Sequence, residues 1–276
     1  MNILYCGDKN IIDGLIISIL SILKNTKEKL YIYVLTMNYK TEKKKYEPLN
    51  NSYIEVLNNL VKKYNKDNFV KLIDITDIVY ECLPKANLNT NFTPFCMLRL
   101  YADQVKELPD KILYLDNDVV ALKDPKELYN IDNSNYEVVG ALDYYGSIFF
   151  RKKLTQKDYL NSGVLLLNLD LIRKNKLFEK SRNRCRKVKM MLPDQTAINI
   201  YSNNKLIVDR RFNEQKQIDN KTVFRHFTTT FKFWPVFHTQ KVKPWDIDRL
   251  HNILHEHKID DVLDDYKQVV RRIKNE

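Results

Sequence analysis

Glycine and proline are scarce in this chain: 5 and 8 among 276 residues. That excludes collagen-like and loop-rich architectures, which need both in quantity. Cysteine is scarce as well, and Cys6, Cys82, Cys96 and Cys185 form no CxxC pair and no regular spacing. They read as reduced thiols of a cytoplasmic protein, against a disulfide framework or a zinc knuckle. No apolar run approaches the roughly eighteen residues a transmembrane helix needs. The opening MNILYCGDKN has no cationic stretch ahead of its apolar residues and meets Asp8 almost at once, so it reads as a first strand and not a signal peptide. A GxxxxGK phosphate loop is missing too, which argues against an ATPase or simple kinase.

What is present suffices for a folded α/β protein. Apolar residues make up 44% of the chain, enough for a sizeable core. Apolar, β-rich segments recur at 2–6, 31–36, 69–74, 111–115, 136–142 and 163–169. Between them run helical stretches, at 11–25, in a lysine-rich segment around 41–65, and at 93–106, where Thr93 and Pro94 suggest a cap and a first turn. Such alternation predicts a mostly parallel sheet with helices on both faces. Ligands of such sheets bind at the carboxyl ends of strands. After about residue 170 the chain turns cationic, and 246–276 reads as a charged helical tail. The absence of a linker predicts one domain over 1–246 with a C-terminal helical appendage at 247–276. The net charge of +11 leaves anionic membranes, nucleic acid and phosphorylated ligands open as partners.

One stretch carries chemistry. In KILYLDNDVVAL (111–122), Asp116, Asn117 and Asp118 interrupt an apolar run. Two carboxylates at the end of a buried strand repel each other and lose hydration unless a positive charge lies between them. The triplet is therefore either a surface turn or a cation site. Hard cations such as Mn²⁺ and Mg²⁺ take carboxylate oxygens and complete their shell with substrate phosphates.

KILYLDNDVVALKDPKELYNID, then YLNSGVLLLNL, LPDQTAINI, HF and KPW occur in the order seen in the family 8 retaining glycosyltransferases, and the chain resembles that family from residue 1 to about 246. The resemblance implies a GT-A fold with a Rossmann-like, mostly parallel mixed sheet. It also implies hexosyl transfer with retention from UDP-glucose or UDP-galactose, and a Mn²⁺ or Mg²⁺ cofactor. Carried over by position, Asp116 and Asp118 would bind the metal, with Asn117 between them at the nucleotide. Cys6, Asp8 and Asn10 would line the uridine pocket, and Arg99 would contact the sugar nucleotide. Asp143 and Asn161 would hold the donor sugar, with Asp194 and Gln195 at its anomeric carbon. Lys243 would neutralise the departing diphosphate.

The sequence departs from the family pattern in two places. Ile11 stands where the family has a Tyr that stacks on uracil. The family's HFxGxxKPW is stretched by TTTFKFWPVF, which separates His226 from Lys243 and removes the Gly. His226 suits the third metal position by its strand context; His238 is the alternative by its closeness to Lys243. Phe231, Phe233, Trp234 and Phe237 of the insertion read as core or as an acceptor platform. His251 and His255 read as a polar helix face. The basic stretch 173–189 and VVRRIK near the end read as plain surface or as contacts to an anionic bilayer.

The acceptor expected is a glycan or lipid-linked saccharide, and the location cytoplasmic with peripheral contact to the inner face of the membrane. Two rival readings stand beside this one: a nucleotide-sugar-binding protein without activity, and a basic nucleic-acid-binding protein, the latter leaving the DxD strand unexplained.

Overall fold

A computed structural model describes residues 1–275 apart from 41–44, 89–93, 147–157, 233, 235 and 237; at 231, 232, 274 and 275 only the backbone is described. Phe233, Phe237 and the expected cap Thr93 lie outside the described residues, as does the side chain of Phe231.

Seven strands form one sheet: β1 (Asn2–Cys6), β2 (Tyr31–Thr36), β3 (Phe69–Asp74), β4 (Lys111–Leu115), β6 (Val138–Leu142), β7 (Leu160–Asn168) and β8 (Lys205–Val208). A short β5 (Val119–Ala121) pairs with β9 (Phe224–His226) as a separate antiparallel ladder. Across the large sheet the order is β8-β6-β7-β4-β1-β2-β3. All pairings are parallel except those of β7, which runs against β4 and β6. The reversal matters for the site. It puts the start of β7, Asn161 to Gly163, at the same sheet edge as the ends of β4 and β6.

Both faces of the sheet are covered, which explains why its strands read as continuous apolar runs. Side chains alternate between the faces. Ile3, Tyr5, Leu113 and Leu115 join the core beneath the Ile12–Asn25 and Asn51–Tyr64 helices. Leu4, Ile112 and Tyr114 join a second core on the opposite face, with Phe178 and Ala197. The tail folds as helices Ile247–Leu254 and Asp260–Asn275. Leu250, Ile259, Val262 and Leu263 enter the first core, and Tyr266 donates to Asp13 at 2.7 Å. His255 ends the first tail helix in a left-handed conformation, while His251 bonds Asp260 at 2.7 Å. No helix among the described residues is long and apolar enough to cross a membrane.

Two expected helices differ. The lysine-rich one begins only at Asn51, capped by Asn50, because a ribbon of Tyr39–Lys40 with Lys45–Tyr46 precedes it. The segment around Arg99 is a 3-10 helix over Pro94–Gln104. With three residues per turn, side chains three apart eclipse. Cys96 and Arg99 thereby share one face, and both line the cavity described next.

Candidate active site

At the carboxyl edge of β1, β4 and β6 lies a cavity of about 550 Å³. Its wall contains Cys6, Asp8, Asn10, Arg99, Asp116, Asn117, Asp118, Asp143, Asn161, Asp194, Gln195, His226 and Lys243. Every residue expected at the donor or the metal is therefore there except His238. That residue is exposed on a ribbon of Thr230–Lys232 with His238–Gln240, bonded to Val236 O. Lys243 lies at the cavity despite the long spacing. Trp234, 85% exposed, is no part of the core.

Long-range pairing gathers the charged groups. A turn closes the triplet, with Val119 N–H donating to Asp116 O at 3.1 Å. In the β5–β9 ladder His226 lies opposite Val119, and Phe227 N–H donates to Asp118 O at 3.0 Å. This sets His226 Nε2 3.3 Å from Asp118 Oδ1 and 3.6 Å from Asp116 Oδ2. Ligand atoms of all three residues fall within 4.8 Å of one another. Lys243 Nζ pairs with Asp118 Oδ2 and donates to Phe227 O. Burial would push the Asp118 carboxyl up, yet Lys243 and His226 beside it hold it well below the usual carboxylate range. Asp118 Oδ1 is buried and, among the described residues, makes no hydrogen bond of normal geometry.

A buried, unpaired carboxylate oxygen is costly. Here it faces an imidazole nitrogen and a second carboxylate, two oxygens and one nitrogen around one point. That donor set suits a divalent Mn²⁺-type cation, so the residues fit the metal that the sequence predicts.

Arg99 is 2% exposed and ties the acidic wall together. Its Nη2 meets Asp116 Oδ1 at 2.7 Å, its Nε meets Asp194 Oδ2 at 3.2 Å, and Nη1 donates to Ser162 O. The guanidinium also lies over the Tyr114 ring at 4.0 Å, and the Tyr114 hydroxyl donates to Asp116. Burial works against its charge, but Asp116, Tyr114 and Asp194 more than offset this and raise its pKa. Its geometry is that of a clamp between two carboxylates.

The sugar-side residues form one network. Asp194 and Gln195 occupy the first turn of the Pro193–Tyr201 helix, which starts on Pro193 as first turns favour. Asn199 of that helix exchanges two hydrogen bonds with the Leu160 backbone, fixing the helix to the start of β7. Asp143 accepts from Asn161 at 2.7 Å and from Gln195 at 3.2 Å. Burial raises the Asp194 carboxyl, aided by nearby Asp116 and opposed by Arg99.

Sequence reasoning passed over Tyr114, Ser162, Gly163 and Asn213. Ser162 and Gly163 stand inside the quoted LNSGVLLLNL, and Tyr114 inside the DxD strand, so their neighbours were signals. Nothing marks Asn213. At Gly163 a Cβ would overlap the His226 ring. Gly163→Ala is expected to push that ring aside and weaken divalent-cation binding about tenfold or more, read by Mn²⁺ titration; unchanged affinity would contradict this packing.

Comparison with known proteins bears on the whole chain. Residues 2–247 match the Glycosyl transferase family 8 profile. The chain belongs to this family. It is 27% identical over 269 residues to the lipopolysaccharide 1,2-glucosyltransferase of Escherichia coli, covering 84% of this chain and 73% of that protein. It is also 27% identical over 259 residues to the lipopolysaccharide 1,3-galactosyltransferase of Salmonella typhimurium, covering 84% and 72%. The galactosyltransferase LgtC, solved with donor and acceptor sugar analogs, superposes with a TM-score of 0.69 over 97% of this chain and 96% of its own, at 17% identity. The fold of this family 8 glycosyltransferase is thus GT-A, a seven-stranded mixed sheet flanked by helices.

Proposed function

We propose that this family 8 enzyme moves glucose or galactose from a UDP-hexose to a saccharide or lipid-linked saccharide, with retention and with a divalent cation. The observation that carries the reading is the cluster of Asp116, Asp118 and His226 in the cavity, with Asp118 Oδ1 buried and aimed at the other two. Five aspartates line that cavity against three cations, although the chain as a whole is strongly basic. An acidic wall suits a metal-bridged diphosphate; a nucleic-acid groove would be basic. The hexose-transferring relatives favour glucose or galactose as the donor sugar.

Asp116, Asp118 and His226 would hold the cation, which when bound supplies charge stabilisation to a leaving diphosphate. Lys243, anchored on Asp118 and Phe227 O, stands ready to share that charge. Asp143, Asn161 and Gln195 offer a carboxylate and two carboxamides to sugar hydroxyls. Asp194, kept in place by Arg99 and by Ser162 Oγ at 3.3 Å, offers negative charge to an oxocarbenium-like centre. The acceptor hydroxyl would attack from the face the diphosphate leaves.

The reading of an inactive sugar-nucleotide binder rests on the missing Gly and the displaced KPW. Lys243 meets Asp118 across the insertion, which supports an active site instead. Thermal shift with UDP, UDP-glucose and UDP-galactose, each with Mn²⁺ or EDTA, tests the proposal. A ligand bound only by the folded state raises Tm. A Mn²⁺-dependent rise with one UDP-hexose is expected; no rise with any, alongside salt-sensitive nucleic-acid binding, would sink it.

A lipid-linked acceptor has support at the cavity mouth. Arg186, Lys187, Val188, Lys189 and Met191 are all exposed, and Met191 itself lines the cavity. Cations beside exposed apolar side chains suit an anionic bilayer surface, where each cation contributes about 1 kcal/mol. Sedimentation with phosphatidylglycerol vesicles, but not with phosphatidylcholine ones, is the expected result, weakened by Lys187→Glu/Lys189→Glu. Equal behaviour with both lipids would remove the membrane from the account.

A further inference from the structure

We infer that Asn213, buried and unmarked by any motif, is a positioning residue that fixes which nitrogen of His226 faces the metal site. The inference rests on the cation reading above. It follows from a chain of hydrogen bonds in which each amide can be oriented only one way.

Asn161 comes first. The Gly163 backbone N–H approaches one end of its amide at 2.9 Å, and the Asp143 carboxylate approaches the other at 2.7 Å. An N–H can only donate and a carboxylate only accept. Asn161 Oδ1 therefore faces Gly163, and its Nδ2 faces Asp143. The same Oδ1 lies 2.9 Å from an amide end of Asn213, which must then be Nδ2. Asn213 Oδ1 is left facing His226 Nδ1 at 3.1 Å. A carbonyl oxygen only accepts, so Nδ1 carries a hydrogen and Nε2 is the nitrogen turned to the metal site.

Nε2 lies 3.3 Å from Asp118 Oδ1 and 3.6 Å from Asp116 Oδ2. Without a cation Nε2 holds a proton between these carboxylates; a divalent cation displaces that proton and takes Nε2 as its third ligand. Asn213 is 1% exposed, so solvent is poorly placed to replace its oxygen. Its backbone is held by Arg210 O at 2.8 Å, and Gly163 leaves room for the ring on its other side. Orienting partners of this kind change metal affinity by roughly 10–100-fold.

The test is a Mn²⁺ titration followed by the electron paramagnetic resonance of free Mn²⁺, with no donor present, on wild type, Asn213→Ala and Asn213→Asp. Tm in EDTA serves as the check on folding. Asn213→Ala removes the acceptor and is expected to weaken Mn²⁺ binding about 10–100-fold. Asn213→Asp keeps an acceptor for Nδ1–H but gives up the donor to Asn161 Oδ1, and is expected to lose clearly less Mn²⁺ affinity than Asn213→Ala. Equal losses in both variants, or none in either, would overturn the inference; equal losses would mark Asn213 as merely structural.

A wild-type protein that fails to bind Mn²⁺ would instead bring down the cation reading beneath it. Should the variants not fold, Zn²⁺-loaded wild type decides. Its His226 Nδ1–H, identified by its loss in His226→Gln, is expected in ¹H–¹⁵N spectra as a proton protected from exchange. A proton that exchanges freely would overturn the assignment.

Discussion

Asp118→Ala is expected to abolish the Mn²⁺-dependent thermal shift with UDP-hexose and to lower hexosyl transfer about a thousandfold. Asp118 is where three functions meet. One oxygen pairs with Lys243, the other faces His226, and its backbone carbonyl holds the start of the chain leading to Lys243. Removing the carboxylate takes away a metal ligand and loosens the cation expected at the diphosphate. The loss should therefore fall on donor binding and turnover together. Initial rates with radiolabelled donor, alongside melting curves with and without Mn²⁺, provide the check. A variant keeping more than about a tenth of wild-type transfer would show that the DxD turn is not the metal site.

The second large effect is on stability. Arg99→Met leaves Asp116 and Asp194 without their shared counter-ion inside a buried wall. Breaking a buried ion pair from one side costs about 3–5 kcal/mol, which for a chain of this size lowers Tm by roughly 6–10 °C. Arg99→Lys should rescue little, because one ammonium cannot reproduce a planar fork serving two carboxylates and a carbonyl. Asp194→Asn in the Arg99→Met background should recover part of the loss, by removing one uncompensated charge.

The pH dependence follows with a definite sign. Burial already raises the Asp194 carboxyl, with Arg99 opposing that rise. Without Arg99 the folded state binds a proton there more readily than the unfolded state does. Stability of the variant must then improve as pH falls toward the carboxylate range and worsen as it climbs. Melting curves between about pH 5 and pH 8 read this directly, since the Arg99→Met deficit should shrink at the acid end. A deficit that does not change with pH would mean Arg99 acts through packing alone.

What the sequence made legible follows from how local each signal is. Strands such as KILYL could be read because both faces of the sheet are buried and the apolar run is unbroken. Asp116 and Asp118 were legible because they break that run at its carboxyl end. The direction of β7 was not, since reversal comes from pairing with β4 and β6, far off in sequence. His226 and His238 could not be separated by spacing. The β5–β9 ladder, which joins residues about a hundred positions apart, sets His226 beside the carboxylates, while His238 is exposed on its ribbon. Asn213 carries no local signal, because its role lies wholly in two side-chain hydrogen bonds, to Asn161 of β7 and His226 of β9.

The most direct test is calorimetric titration of UDP-glucose and UDP-galactose into the protein, once with Mn²⁺ and once with EDTA. Binding of one UDP-hexose in Mn²⁺, weakened at least about tenfold in EDTA, is the result expected if Asp116, Asp118 and His226 hold a cation under the diphosphate. Equal binding in both buffers would contradict the metal-centred account, and no binding of either sugar nucleotide would contradict the donor assignment itself.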